Sequence, residues 1–195
     1  MTSESATRRE AVHEQAVPGF GTVRILPLEP ALDAELLHGW VTQPRARFWG
    51  MLDADRERVQ EIYEYVDSLT THHAYLVHRD GEPVALFQTY EPEHDPVGEC
   101  YRVRPGDFGV HLLIGPTAGA AEQGFTTTLV SVFLAHVLGD PARLRIVAEP
   151  DARNDKAINL LLRTGFELGP EIELPEKRAR LLFLSRDGQS RVAHD

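Results

Sequence analysis

Two side chains in the middle of the chain are suited to proton transfer. His111 lies in the apolar run 109–115, and an imidazole with an ordinary pKa of about 6.5 can take up a proton near neutral pH. Asp151 follows a second apolar run, which ends at Ala148, and could orient or charge-match that imidazole. His111 and Asp151 are therefore the candidate catalytic pair. A half-buried sheet histidine and a loop or capping carboxylate remain the alternatives.

A candidate phosphate-binding turn lies between these two runs. The first run ends at Gly115-Pro116, and Gly124 opens a helical segment that carries threonines at 126–128. Free N–H groups at a helix start bind phosphate, and glycine lets a ligand approach the backbone closely. The segment is neither a Walker loop nor a G-x-G-x-x-G turn, so taken alone it is also compatible with an ordinary turn.

Other chemistries find little support. Cys100 is the sole cysteine, so no internal disulfide can form, and its polar surroundings hold no activating base. His72 and His73 are adjacent, and in a strand they would face opposite sides. No H-E-x-x-H motif occurs, and we expect no catalytic metal.

Composition restricts the class of protein. The chain has 195 residues, is 42% hydrophobic and carries a net charge of -10, which suits a single globular domain. Without a basic face it should not bind nucleic acid, and no apolar run of about 20 residues predicts a membrane helix. The acidity suits a cationic small molecule, although solubility alone would also explain it. We expect a cytoplasmic protein with flexible tails at 1–17 and 187–195 around a domain at 18–186. Monomer and homodimer are equally open.

Hydrophobic periodicity predicts an α/β fold. Predicted strands cover 22–28, 74–77, 83–90, 107–115, 144–148, 166–168 and 180–185, and predicted helices cover 31–41, 53–69, 126–138 and 154–164. The order indicates a mainly antiparallel sheet flanked by helices, with one central strand–helix–strand crossover. This crossover contains both candidate catalytic residues.

The crossover resembles a known family. A phosphate-binding turn, a strand, Asn154 with Ala157 three residues later, and a helix that closes in Gly165-Phe166 resemble the acetyl-CoA-binding half of GNAT acyltransferases. The runs 109–116, 149–154, 166–170 and 177–179 are similar to the siderophore branch, nearest to the desferrioxamine-type enzymes that acylate N-hydroxycadaverine. The resemblance covers roughly 22–185.

This resemblance implies a GNAT fold, an acyl-CoA co-substrate (acetyl-CoA or succinyl-CoA) and a small-molecule amine or hydroxylamine acceptor. In the family, the strand before the turn splays from its neighbour and holds the pantetheine arm. The implied CoA-binding residues are Leu113, Ile114, Gly124, Phe125, Thr126, Thr127, Thr128, Asn154 and Ala157. Candidate acceptor-binding residues are Trp49, Gln88, Tyr90 and Tyr101. Asn154 as a plain helix cap and Trp49 as plain core remain open readings.

One departure leaves room for other functions. The family turn usually reads Gln/Arg-x-x-Gly-x-Gly/Ala, whereas this chain has Ala121, Gly124 and Thr126 in those places, so side-chain contacts to a pyrophosphate are in doubt. The leading hypothesis is acylation of an N-hydroxylated diamine or amino acid for a hydroxamate siderophore. An aminoglycoside- or polyamine-type N-acetyltransferase is the alternative within the fold. A non-catalytic CoA-binding module is the alternative of another class.

Overall fold

The computed structural model describes residues 9–117, 119 and 121–187. Its strands are β1 (His13–Val17), β2 (Gly21–Pro27), β3 (His72–Arg79), β4 (Glu82–Tyr90), β5 (Asp107–Ile114), β6 (Arg145–Ala148), β7 (Glu167–Glu173) and β8 (Arg178–Ser185). Its α-helices are α1 (Pro30–Val41), α2 (Arg56–Ser68), α3 (Phe125–Leu138) and α4 (Asp155–Arg163). All described strands form one sheet in the order β1-β2-β3-β4-β5-β6-β8-β7.

The sheet is antiparallel except where β5 meets β6, which run parallel on either side of the α3 crossover. One face packs against α3 and α4 through a core that includes Phe87, Phe133 and Leu161. The other face packs against α1 and α2 through residues such as Leu37, Tyr63 and Leu86. The predicted fold class and the parallel crossover are therefore confirmed.

The helices begin where local chemistry favours it. Pro30 occupies the first turn of α1, where its missing N–H costs nothing, and the Asp55 side chain accepts a hydrogen bond from the Arg58 N–H at the start of α2. The inward-facing Val59 and Tyr63 of α2 are almost fully buried. The segment predicted as a loop at 42–50 contains a 3₁₀ turn over Pro44–Trp49.

The N-terminal prediction was wrong in part. His13–Val17 form strand β1, paired with β2 from His13↔Ile25 to Val17↔Gly21, rather than a tail. This edge strand is largely exposed, so backbone pairing holds it and the sequence shows little hydrophobic pattern. Residues 1–8 of the predicted N-terminal tail and 188–195 of the predicted C-terminal tail lie outside the described residues. Across the described part of the chain, no helix has the length and apolar character needed to cross a bilayer.

Candidate active site

The centre of the sheet opens where β5 and β6 separate. Their parallel pairing runs only from Asp107↔Arg145 to Gly109↔Val147, while β5 continues to Ile114. On its other side β5 stays paired with β4 as far as Ile114↔Ala85. The second half of β5 therefore presents one free edge to the opening.

Backbone alternation identifies the groups on that free edge. The Gly115 N–H donates to the Val84 carbonyl at 2.8 Å, so by the antiparallel pattern Leu113 and His111 also direct their backbone groups toward β4. The backbone groups of Leu112 and Ile114 face the opening, where the Arg45 guanidinium already donates to the Ile114 carbonyl. Extended amide-containing ligands pair with such an edge as a strand would.

Leu113, predicted to contact CoA, is therefore placed differently from Ile114. Its backbone faces β4, and its side chain is 9% exposed in the core that includes Trp40. Gly115, two residues later, packs tightly against the same core, because a Cβ there would lie 2.8 Å from the Trp40 ring. The outward-facing backbone groups expected of Leu113 belong instead to Leu112.

His111 lies at the opening with both ring nitrogens occupied. Its Nε2 bonds to Glu149 Oε1, and its Nδ1 lies 3.1 Å from Gln88 Oε1. The His111 side chain is 34% exposed, whereas that of Glu149 is 4% exposed. The Glu149 side of the imidazole is therefore closed, and the Gln88 side is the more open one.

Two further residues, Tyr90 and Lys177, hold Glu149 through three contacts. The Tyr90 hydroxyl donates to Oε2 at 2.5 Å, and the Lys177 ammonium donates to the Glu149 backbone carbonyl at 2.7 Å. The Lys177 Nζ also lies 3.8 Å from Oε1. A buried carboxylate needs such partners to remain ionised.

These contacts set the protonation of the pair. Burial by itself lowers the pKa of His111, but the adjacent Glu149 carboxylate outweighs burial and raises the pKa above its ordinary value. Burial opposes ionisation of Glu149, yet His111, Lys177 and Tyr90 together lower the pKa of its carboxyl to about 2. Glu149 is thus an anion at neutral pH that favours a proton on His111 Nε2.

Tyr90 reaches Glu149 only because residue 109 is glycine. Tyr90 lies directly opposite Gly109 in the β4–β5 ladder, and a Cβ on Gly109 would overlap the Tyr90 ring. The ring packs between those of His111 and His72, with centroids 4.9 and 5.9 Å away. Burial and the neighbouring Glu149 carboxylate raise the pKa of Tyr90 well above its ordinary value, so it remains a neutral donor.

Trp49 and Gln88 border the open side of His111. The Trp49 ring approaches His111 edge-on at 6.4 Å, and its Nε1–H donates to the Tyr63 hydroxyl at 3.1 Å. Gln88 pairs directly with His111 across β4 and β5. Three of the predicted acceptor-side residues, Trp49, Gln88 and Tyr90, thus gather around His111; their binding roles stay predictions.

The predicted catalytic residue Asp151 and the fourth predicted acceptor-side residue, Tyr101, are placed elsewhere. Asp151, the expected partner of His111, forms a two-point ion pair with Arg153 at 2.8 and 2.9 Å, and hydrogen bonds from Arg153 lower the pKa of its carboxyl to about 2. The Tyr101 hydroxyl donates to Asp107 Oδ2 at 3.0 Å, four residues before His111 on β5. The structure therefore gives His111 a different carboxylate, Glu149, and does not bring Tyr101 into contact with it.

The start of α3 fits the predicted phosphate-binding turn. Gly124 adopts φ +79° with open space around its Cα, and its carbonyl accepts the Thr128 N–H at 2.9 Å. Within residues 9–117, 119 and 121–187, no acceptor bonds to the N–H of Thr126 or Thr127. These two donors are available to an anion.

The side chains around this turn are arranged unlike the family pattern. The Phe125 ring packs on Phe20 at 5.6 Å, so only its backbone faces outward. Glu122 is held by Arg79, with contacts of 2.5 and 3.1 Å. The ion pair neutralises a carboxylate that would otherwise repel a phosphate next to the turn.

Asn154 caps α4 at the far side of the opening. Its Oδ1 accepts the Ala157 N–H at 3.2 Å, and its backbone carbonyl accepts the Ile158 N–H at 3.1 Å. The cap accounts for the Asn–Ala spacing without a ligand. Contacts of Asn154 and Ala157 with CoA stay predictions.

Comparison with known proteins identifies the family. Residues 29–174 match the family model described as an acetyltransferase (GNAT) domain. The chain belongs to the GNAT acetyltransferase family. The fold of this GNAT domain also matches that of an uncharacterised protein from Bacillus halodurans, with a TM-score of 0.84 and 22% identity over 94% of this chain and 95% of that one.

Curated relatives of this GNAT domain include two with informative names. It is 29% identical to the N(6)-hydroxylysine O-acetyltransferase of Escherichia coli over 81% of this chain, but spans only 50% of that protein's length. It is 25% identical to the N-hydroxyputrescine acetyltransferase of Acinetobacter baumannii over 80% of this chain and 74% of that protein. The predicted resemblance to siderophore-type acyltransferases is confirmed at the level of family and relatives.

Sequence reasoning missed Glu149 as a site residue. The signal that identifies it is the parallel register, which the sequence alone does not supply: Gly109 pairs with Val147, and two further residues along each strand place Glu149 opposite His111. Lys177 and Arg45 carried no such signal, because each reaches the opening from a turn distant in sequence.

Proposed function

We propose that this GNAT protein transfers an acyl group from acyl-CoA to the hydroxylamine nitrogen of an N-hydroxylated diamine or amino acid, in the biosynthesis of a hydroxamate siderophore. The observation that carries the proposal is the His111–Glu149 pair at the β5–β6 opening. It supplies one base at the point where a thioester bound along β5 would meet an acceptor. The two relatives named for hydroxylated lysine and putrescine support the acceptor class.

The backbone arrangement suits an acyl-CoA. The N–H groups of Leu112 and Ile114 face the opening and can pair with the amides of a pantetheine arm or polarise the thioester carbonyl as it gains charge. The N–H groups of Thr126 and Thr127 would hold the pyrophosphate, taking over from the side chain that Ala121 lacks.

The reaction follows from these positions. The hydroxylamine nitrogen attacks the thioester carbon; the N–C bond forms, the C–S bond breaks, and the proton on nitrogen passes to His111 and finally to the CoA thiolate. A hydroxylamine is much less basic than an alkylamine, so near pH 7 it is largely neutral and one base suffices. Direct attack is supported by the hydrogen-bonded and aromatic neighbours of His111 among the described residues, which are Gln88, Glu149, Tyr90 and Trp49 and include no suitable protein nucleophile.

We further propose N-hydroxycadaverine-like acceptors, acetyl or succinyl groups, and a cytoplasmic setting that suits the single Cys100. The proposed reaction does not use Cys100, whose Sγ donates to the carbonyls of Pro96 and Glu173.

Release of CoA thiol tests the proposal. Purified protein is assayed with acetyl-CoA and succinyl-CoA against N-hydroxycadaverine, N-hydroxylysine, cadaverine and an aminoglycoside. The highest kcat/KM is expected with a hydroxylamine. If only the aminoglycoside or the diamine is turned over, the protein is instead an aminoglycoside- or polyamine-type N-acetyltransferase. CoA binding without turnover of any acceptor would favour a non-catalytic module.

A further inference from the structure

The side chain of Gln88 occupies the open side of the proposed base. Gln88 and His111 are direct partners in the β4–β5 ladder, so their side chains leave the same face of the sheet. The Gln88 carboxamide lies 3.1 Å from His111 Nδ1, and Gln88 is only half-buried. It is the polar group nearest to this nitrogen that an entering ligand could displace.

The other contacts of His111 leave Nδ1 as the working nitrogen. Nε2 is bonded to the nearly buried Glu149, which Tyr90 and Lys177 hold in place. A neutral imidazole with its proton on Nε2 can accept a second proton only at Nδ1. An acceptor that donates its N–H to Nδ1 must therefore take the place where the Gln88 carboxamide now lies.

This displacement gives Gln88 a role in selecting the acceptor. The nucleophilic nitrogen would lie about 3 Å from Nδ1. Any atom attached to that nitrogen is then within reach of the carboxamide, which can donate and accept hydrogen bonds. Resting on the proposed function, we propose that Gln88 binds the N–OH group of the acceptor and thereby selects hydroxylamines over acceptors that lack this hydroxyl.

The proposed contact is compatible with the chemistry. During attack the proton leaves the nitrogen for Nδ1, the N–C bond forms and the C–S bond breaks, while the O–H bond stays intact. The hydroxyl can donate to Gln88 Oε1 throughout, and the hydroxamate product keeps this donor. An acceptor without the hydroxyl also displaces the Gln88 carboxamide from Nδ1 but gives its Oε1 no hydrogen-bond donor, which costs binding in the transition state.

The test compares two acceptors of similar basicity. N-hydroxycadaverine and N-methoxycadaverine are both largely neutral near pH 7, but only the first carries the hydroxyl proton. The ratio of their kcat/KM values is measured for the wild type, Gln88→Met and Gln88→Leu. If Gln88 accepts from the hydroxyl, the ratio falls about 3- to 10-fold in both variants, the range for one neutral hydrogen bond.

Gln15→Met serves as the matched control, because Gln15 is an exposed strand residue on β1. The ratio should keep its wild-type value in this variant. Equal losses on both acceptors in the Gln88 variants, with the ratio unchanged, would overturn the proposal and reduce Gln88 to a residue that orients His111. If the wild type turned over neither acceptor, the proposed function itself would be contradicted. Thermal melting of each variant verifies that it is folded.

Discussion

The Glu149 carboxylate determines how His111 can act. A lone half-buried histidine would be harder to protonate than usual, because burial disfavours the imidazolium. Glu149 reverses this effect and raises the pKa of His111, so that the imidazolium formed during attack is stabilised. The same contact favours a proton on Nε2 and leaves Nδ1 as the nitrogen that the proposed mechanism uses as the base.

Replacing Glu149 with its neutral isostere should therefore move the pH profile. His111 acts as a base when neutral, so kcat/KM rises as pH increases through its pKa. In Glu149→Gln, the carboxylate that raises the pKa of His111 is lost, while the burial that lowers this pKa remains. The midpoint of the acid limb should therefore move to lower pH. We expect kcat to fall roughly 10-fold or more, part of the 10²–10⁴-fold contribution of a positioned base.

The matched control for this prediction is Asp151→Asn, which removes a negative charge two residues beyond Glu149 that is already paired with Arg153. It should leave the midpoint of the acid limb unchanged. The dependence of kcat/KM on pH is measured for the wild type and both variants with the same hydroxylamine acceptor. Titration of the acceptor then affects all three proteins equally. A midpoint that moves in Asp151→Asn but not in Glu149→Gln would restore Asp151 as the partner of His111.

Asp151 was predicted as the partner of His111, and the structure places Glu149 there instead. Both carboxylates follow β6 with the same parity, so a shift of two residues in the parallel register keeps them on one face and changes which of them meets His111. The position of His111 at the opening was predictable from its residue type and its strand, and its role as the base stays a proposal. Its partner depended on register, which only the three-dimensional pairing supplies.

At the scale of elements, the site depends on the way β4 and β5 fit together. Gly109 leaves room for the Tyr90 ring, and Tyr90 in turn reaches Glu149 across the β5–β6 opening. The sequence predicted both strands from their apolar runs. It did not predict that one glycine within a strand serves close packing by a neighbouring ring.

A methyl group at position 109 should therefore disturb both stability and activity. Gly109→Ala forces the new Cβ against the Tyr90 ring, which we expect to lower the free energy of unfolding by about 1–3 kcal/mol. Urea unfolding measures this change. Activity should fall as well, because a displaced Tyr90 no longer holds Glu149.

Gly39→Ala is the control for that substitution. Gly39 lies on the exposed side of α1, and a Cβ there would meet no atom within 4 Å. This variant should gain up to about 1 kcal/mol from helix propensity and keep its activity. An equally stable Gly109→Ala protein would show that Tyr90 can move without cost and that its contact with Glu149 is incidental.

Strand β1 shows which secondary structure hydrophobic periodicity fails to predict. Its residues His13–Val17 are mostly polar and exposed, and they pair with β2 through the backbone. Hydrophobic periodicity reports burial, so it identified the central strands and helices and passed over an edge strand.

The negative net charge of the protein should increase the rate at which it encounters a cationic acceptor. The net charge of -10 attracts cations over a distance that salt shortens. N-hydroxycadaverine carries an ammonium group at its far end. With acyl-CoA saturating, its kcat/KM should fall severalfold as ionic strength rises from about 20 to 300 mM.

N-pentylhydroxylamine is the control for this prediction, since it has the same chain length and no distal ammonium. Its kcat/KM should vary little over the same range of salt. Parallel salt dependence for the two acceptors would show that the acidity of the protein serves solubility and does not steer the substrate.

The fold was the most predictable property of the molecule, because the α/β order, the crossover and the family motifs all point the same way. The acceptor stays a proposal, because its choice depends on contacts among side chains from β4, β5 and the 3₁₀ turn before α2, which sequence spacing does not encode.

The most direct test of the account is the rate of CoA thiol release from acetyl-CoA with N-hydroxycadaverine, compared between the wild type and His111→Ala. His94→Ala is the control, because the His94 side chain is exposed and pairs with Glu91 on the surface. If His111 is the base, kcat should fall about 10²–10⁴-fold in His111→Ala and stay unchanged in His94→Ala. Turnover that survives intact in His111→Ala would contradict the assignment of His111 as the base.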